Sequence, residues 1–216
     1  KFKNKIIYIP VEDMPDGDDP YLRENFQRNC ILRGIRNAEE EDVIIISDLD
    51  EIPNPKKLNL FKKKQRYAAF KQKHFYYKLN LQSQKNPFWI GTRICQKKYL
   101  KSPQWLRELK FKKRPFWRLD KFRLNHIIED GGWHFCNLKH PKDLLYKYKN
   151  LCETNDPYHF KEKISEEYLN LDKIKEQISK NKDIIGRDDE FIKIGINDDY
   201  PNYIIKNLDN LKEWIV

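Results

Sequence analysis

Apolar residues in this chain form short runs and helical stripes that are separated by strongly polar segments. The most apolar run, Val43 to Ile46, consists of consecutive β-branched residues and is typical of a strand buried on both faces of a parallel sheet. A run over residues 4–9 predicts another short buried strand. Between these runs, apolar residues spaced four apart predict a helix over residues 20–36. The order strand, helix, strand indicates a βαβ unit and therefore an α/β fold.

Helix-start signals support this division into elements. Asp19 followed by Pro20 is typical of an N-cap with proline at the first helical position. Ser165, which two glutamates follow, indicates another helix start, and Pro201 indicates a final short helix. The aromatic-rich segment 67–81 predicts further strands. No linker divides the chain, so the sequence predicts a single domain.

Composition narrows the class of protein. Hydrophobic residues make up 39% of the 216 residues, which is enough for a core and excludes wholesale disorder. No apolar run approaches the roughly 20 residues that cross a bilayer, so no membrane span is predicted. Lysine and arginine number 43 against 33 acidic residues, a net charge of +10 that either favours anionic partners or only solvates the surface.

The cysteines give no sign of a zinc site. Cys30, Cys95, Cys136 and Cys152 contain no C-x-x-C pair, and that spacing argues against structural zinc. Disulfide pairing cannot be chosen from the sequence, and we expect buried thiols.

Three acidic residues, Asp48, Asp50 and Glu51, follow directly after the most apolar strand. In an open parallel sheet, ligands bind beyond the carboxyl ends of the strands. Residues i and i+2 of extended chain point to the same side, so Asp48 and Asp50 are expected to converge on one hard cation. Oxygen ligands with open positions suit Mn2+ or Mg2+ carrying a diphosphate. A solvated acidic turn is the plainer alternative.

Three ordered motifs resemble one known family. The segment Ser47 to Pro53 resembles the S-D-x-D-E-I-P signature of glycosyltransferase family 17. Glu24 to Arg28 resembles that family's E-x-x-Q-R, and Gly132 to Phe135 resembles its G-W-H-F-S with Cys136 in place of the serine. The resemblance spans residues 5–210 and is strongest at these three points.

The resemblance implies a GT-A-type fold, which is a Rossmann-like nucleotide-sugar transferase with a mostly parallel central sheet flanked by helices. It also implies inverting transfer of N-acetylglucosamine from a UDP-sugar donor, UDP-GlcNAc, to a glycan or glycoprotein acceptor. Two departures accompany it. The chain is short at its N-terminus compared with the family, whose first strands help to hold the nucleotide base. Near Cys152 to Asn155, where the family has a His-x-Glu pair, this chain has Glu153-Thr154-Asn155.

Site roles follow from the motifs and their resemblance. The metal ligands are expected to be Asp48, Asp50 and His134. The residues expected to bind the donor are Glu24, Arg28, Arg93 and His134. For the general base that accepts the acceptor proton, the candidates are Glu51, Glu129 and Asp130, and we prefer Asp130 to Glu129. Structural alternatives are an i, i+4 ion pair for Glu24 and Arg28, and a packed histidine for His134.

The predicted domain has three parts: 1–60 with strand, helix and D-x-D motif, 61–140 as the acceptor and catalytic part, and 141–216 as a C-terminal helical part. Alternatives of other classes remain open at this point. One is a catalytically degenerate family member, and another is a basic nucleic-acid-binding module that uses the segment 110–123. A D-x-D phosphatase is disfavoured because Ile52-Pro53 follows the motif, and no specific nucleic acid is expected as a partner. The cytoplasm and the secretory lumen remain equally open.

Overall fold

A computed structural model describes residues 2–17, 19–62, 64–110, 126–151 and 167–216. The strands in this part of the chain are β1 (Val43–Ile46), β2 (Glu51–Pro53), β3 (Tyr67–Tyr76), β4 (Leu81–Ser83), β5 (Phe88–Gln96), β6 (His126–Cys136) and β7 (Phe191–Lys193). The α-helices are α1 (Pro20–Asn29), α2 (Ile31–Gly34), α3 (Pro103–Glu108), α4 (Pro141–Asn150), α5 (Leu171–Ser179) and α6 (Asn202–Lys206). Short 3-10 helices cover Lys3–Lys5, Pro55–Leu60, Lys97–Tyr99 and Leu208–Trp214. No helix within the described ranges is long and apolar enough to cross a membrane.

One mixed sheet contains all of these strands. β5 lies between β1 and β3 and is antiparallel to both, while β4 pairs with β3 and with β7, again antiparallel. β6 runs parallel to β3 along its other edge and carries β2 as an antiparallel partner. The mixed α/β class is confirmed. The mostly parallel sheet is not, because short connections join β3, β4 and β5, and such connections allow only antiparallel pairing.

The predicted βαβ unit is wrong. β1 pairs with β5 along one edge only, as far as the described residues show, and its burial alternates. Ile44 and Ile46 are buried, whereas Val43 and Ile45 are 47% and 37% exposed. Residues 4 and 5 end the first 3-10 helix, and residues 6–9 are not in a strand. The apolar side chains of this segment are largely exposed. The two runs therefore do not pair as strands of a common parallel sheet.

Several local predictions are confirmed. The Asp19 carboxylate accepts a hydrogen bond from the backbone N–H of Tyr21 at 2.9 Å, and α1 begins at Pro20 as expected. A break at Cys30 separates α1 from α2, which ends at Gly34, close to the predicted end of the helix. The final helix follows Pro201.

Other predictions fall partly outside the described residues. Ser165, the Cys152 to Asn155 segment and all but the first residue of the basic segment 110–123 lie in the ranges that are not described. Cys30 and Cys95 are buried thiols, as expected, and Cys136 is half-buried.

β3 is the centre of the core. Ala68, Phe70 and Phe75 have no solvent exposure, and different helices cover the sheet around them. Leu106 of α3 packs near β1 and β5, while Ile174 of α5 packs with residues that follow β3. The covered sheet fixes the ends of β1, β2, β5 and β6, which together surround the acidic segment after β1.

Candidate active site

The acidic segment after β1 forms a β-turn. The backbone N–H of Glu51 donates to the carbonyl of Asp48 at 3.0 Å, and Leu49 at the tip is fully exposed. Extended alternation has therefore ended before Asp48, and the i, i+2 argument does not apply to this segment. Asp48 and Asp50 have different partners on the two sides of the turn, although their side chains keep similar exposures of 40% and 37%.

Glu51 is enclosed beneath this turn. Its carboxylate is only 1% exposed and forms a two-pronged ion pair with Arg107 of α3, with N–O distances of 2.8 and 2.9 Å. Trp89 donates its indole N–H to the same carboxylate at 2.8 Å, and Thr92 donates its hydroxyl at 3.4 Å. Burial opposes the charge of Arg107, but the hydrogen bond and charge of Glu51 outweigh it and raise the pKa of Arg107. Glu51 therefore holds the turn, α3 and β5 together.

Asp48 lies among arginines. Arg107 contacts one carboxylate oxygen at 2.7 Å, and Arg28 contacts the other at 3.5 Å. Arg28 also pairs with Glu24 on α1 at 2.9 Å and donates to Gln104 of α3. Arg28 of the helical motif and Asp48 of the turn motif are 20 residues apart in sequence. Their contact brings the two motifs together.

Asp50 lies beside the third motif. Its carboxylate oxygen is 3.4 Å from Nε2 of His134, and its carbonyl accepts the backbone N–H of Phe135 at 2.9 Å. Burial acts to raise the pKa of Asp50, but the hydrogen bond and charge of His134 outweigh it and lower that pKa. The pairing of β2 with β6 places Glu51 opposite His134 and so creates this contact.

Two aromatic neighbours surround His134. The ring of His74 stacks on it with a centroid distance of 4.7 Å and an interplanar angle of 4°, and Trp89 lies 5.4 Å from it. Burial, followed by the charge of His134, lowers the pKa of His74 to about 4, so its imidazole is neutral at neutral pH. Sequence reasoning missed both His74 and Arg107 because nothing near them in the chain marks them.

Arg93 lies below the turn but is directed elsewhere. It is 9% exposed, and its guanidinium donates to the carbonyls of Ile90 and Gly91 on its own strand. Burial and the nearby Arg107 lower its pKa to about 10. These contacts do not bring Arg93 to Asp48 or Asp50.

Asp130 lies away from the acidic turn. The register of β6 against β3 shifts between Ile128 and Gly132, and this bulge leaves the Asp130 side chain 74% exposed. Its carbonyl accepts a hydrogen bond from the side-chain amide of Asn54. Asn54 follows β2 whereas Asp50 precedes it, so the two residues are about 13 Å apart along the extended strand. Asp130 and Trp133 both line a cavity of about 440 Å³. Trp133 and His134 are adjacent on β6, so their side chains lie on opposite faces of the sheet. The structure therefore does not gather Asp130 with the other predicted site residues.

Comparison with known proteins assigns the chain to a family through one match. Neither a curated protein nor a solved structure matches the chain. The family model described as glycosyltransferase family 17 matches residues 1–191, which include all three motifs. The chain therefore belongs to glycosyltransferase family 17.

Proposed function

We propose that this glycosyltransferase is metal-dependent and inverting, and that it transfers N-acetylglucosamine from UDP-GlcNAc to a glycan hydroxyl, with a GT-A-type active site. Family membership supplies the coarser statement, a transferase with a sugar donor and a glycan acceptor. One observation supports the finer proposal. Three motifs that are distant in sequence meet at the turn from Asp48 to Glu51, through contacts to Arg28 and His134.

The donor chemistry of this turn fits a hard divalent cation. Asp48 and Asp50 lie in the turn after β1, and their side chains are each more than one-third exposed. Carboxylate oxygens are preferred ligands of Mn2+ and Mg2+, and His134 lies beside Asp50, where its imidazole orients that carboxylate. A bound cation would supply charge neutralisation at the departing diphosphate.

The chain's own residues contribute binding and orientation. Arg28 and Arg107 place two guanidinium groups at the turn, where they fit the oxygens of a diphosphate. Glu51 acts as a positioning residue, because its carboxylate is enclosed by donors and fixes both Arg107 and Trp89. Trp89 keeps 40% exposure and offers an indole face of the kind that packs against sugar rings.

The general base must accept the proton of the acceptor hydroxyl. Glu51 is enclosed in its ion pair, so among the predicted candidates we keep Asp130 for this role. Its carboxylate is exposed and borders a cavity large enough for a sugar unit. Because a general base must lie within hydrogen-bond reach of the attacking hydroxyl, this assignment requires the donor sugar to extend from the carboxylate site to the Asp130 carboxylate.

Calorimetry with UDP tests the proposal. We expect clear binding with Mn2+ and little heat in the presence of a chelator. Asp50→Asn is expected to lower Mn2+-dependent binding and to reduce transfer by ~10²-fold or more, the scale of a lost electrostatic group in an active site. Asp209→Asn, on an exposed side chain of the C-terminal 3-10 helix, serves as the matched control and should leave both unchanged. Equal heats with Mn2+ and with chelator would remove Asp48 and Asp50 as metal ligands.

A further inference from the structure

Two histidines and a cysteine lie together on neighbouring strands. His74 of β3 and His134 of β6 are register partners, so their side chains project from the same face of the sheet. Cys136 is two residues further along β6 and therefore shares that face. Ligand atoms of the three side chains lie within 4.8 Å of one another.

One nitrogen of each imidazole already contacts an oxygen atom. Nε2 of His134 is 3.4 Å from the carboxylate of Asp50, and Nδ1 of His74 is 3.2 Å from the carbonyl of Asn86. This arrangement is the one found around metal-bound histidines, which direct their second nitrogen to a carboxylate or a backbone carbonyl.

The other nitrogen of each imidazole is buried and has no partner among the described residues. These atoms are Nδ1 of His134 and Nε2 of His74, in residues that are 8% and 4% exposed. A buried polar atom without a partner is costly, and an explanation is required for it. Two such atoms beside one thiol are explained together by a ligand that all three contact.

We propose that His74, His134 and Cys136 form a binding site for Zn2+ or a similar borderline-soft cation. This site is separate from the carboxylate site that Mn2+ or Mg2+ would use. Two imidazoles and a thiolate suit a borderline-soft cation, whereas Mn2+ and Mg2+ prefer oxygen ligands. In a tetrahedral site the ligand atoms lie roughly 3.3–3.7 Å apart, and each imidazole binds through a lone pair in the plane of its ring. The two rings are stacked nearly parallel here, so they must rotate out of the stack for both nitrogens to face one ion. The fourth position remains open.

The proposal changes what the sequence suggests about zinc and about His134. The absence of C-x-x-C argued against a site, but ligands supplied by two paired strands leave no local spacing signal. Within this site His134 binds through Nδ1, and its Nε2–H orients Asp50 for the neighbouring carboxylate site. His134 links the two sites through this contact. The zinc titration requires neither UDP nor Mn2+, so the two proposals fail separately.

Metal titration of the whole chain tests the site. Protein stripped with a chelator is titrated with Zn2+ in competition with a chromophoric chelator, and separately with Co2+ while the absorption spectrum is recorded. We expect one equivalent of Zn2+ and a cobalt spectrum with a thiolate-to-metal charge-transfer band. Binding of less than one equivalent, or a cobalt spectrum without that band, would overturn the proposal without requiring any variant.

Variants then assign the ligands. His74→Gln and Cys136→Ser should each weaken Zn2+ binding by more than about 10–100-fold, which is the loss when a residue that only hydrogen-bonds to a metal ligand is removed. His126→Gln, at the exposed start of the same strand, and Cys30→Ser are the matched controls and should bind Zn2+ normally. Asp48→Asn should lose Mn2+-dependent UDP binding yet retain Zn2+. Unchanged Zn2+ affinity in folded His74→Gln and Cys136→Ser proteins would refute the site.

Discussion

At the scale of single residues, the three acidic residues after β1 have different roles, and Glu51 differs most from the other two. Three carboxylates follow one another closely, yet only Asp48 and Asp50 remain open to a ligand. Glu51 is turned inward to Arg107, and this pair joins the turn to α3. A carboxylate in that position is closed to ligands, so the motif contains both ligand-facing and structural residues.

Replacing Arg107 by alanine should lower the free energy of unfolding, because Glu51 then stays buried without its arginine partner. Arg107→Ala leaves the charge of Glu51 buried and unpaired, which is expected to destabilise the fold by about 3–5 kcal/mol. Urea unfolding of the variant and of the wild-type protein gives the difference in the free energy of unfolding. Arg33→Ala breaks an exposed pair with Asp13 and is the matched control, for which we expect little change. Comparable stability of both variants would show that Glu51 is not held by its buried ion pair.

Individual site residues differ in how far the sequence could predict them. Asp48 and Asp50 follow an apolar strand, and that context marked them. Arg107 is 56 residues from Glu51, and His74 meets His134 only through a parallel strand pair, so neither has a local signal. Long-range pairing, which one sequence does not display, therefore decided which side chains complete the site.

At the scale of elements, the glycines of β6 explain how one strand serves two places. Gly132 has a φ of +132°, and a Cβ there would collide with the carbonyl of Ile52 on β2. This close approach lets β2 pair with β6 directly after the bulge, which aligns Glu51 with His134. The bulge thus sets the distance between Asp50 and the third motif.

Gly132→Ala should disturb this alignment. The variant combines an unfavourable φ with a backbone collision, so we expect a loss of more than about 1 kcal/mol in stability. Thermal unfolding measures the effect, and weaker Mn2+-dependent UDP binding should accompany it. Gly195→Ala, which meets no atom within 4 Å and has an ordinary φ, provides the control and should be neutral. If both alanine variants melt like the wild-type protein, the bulge does not require glycine.

Elements with strong local signals were predicted well, and their arrangement was not. The Asp19 cap places α1 correctly, because a cap depends on neighbouring residues alone. The apolar run at Val43 to Ile46 forms a strand, but its edge position depends on which strands pair. Four β-branched residues indicate a strand without stating whether its second face will be covered.

At the scale of the whole molecule, the charge of +10 must be reconciled with a transferase. Many of the described basic residues are engaged in exposed ion pairs or lie over aromatic rings, as Lys98 does with Glu41 and Tyr99. At the candidate site, Arg28 and Arg107 are both paired with carboxylates. The basic residues named here are therefore held in local pairs, both on the surface and at the candidate site.

This distribution predicts how the protein meets nucleic acid. Phosphate contacts from surface lysines give weak binding without base preference, and the logarithm of the affinity falls linearly with that of the salt concentration. Fluorescence anisotropy with single-stranded oligonucleotides of differing sequence should show similar affinities, which fall steeply between about 50 and 200 mM salt. UDP binding with Mn2+, which depends on fewer and partly buried charges, should weaken less over that range. Tight binding to one particular oligonucleotide near physiological salt would instead favour the nucleic-acid-binding module, because only base contacts give such selectivity.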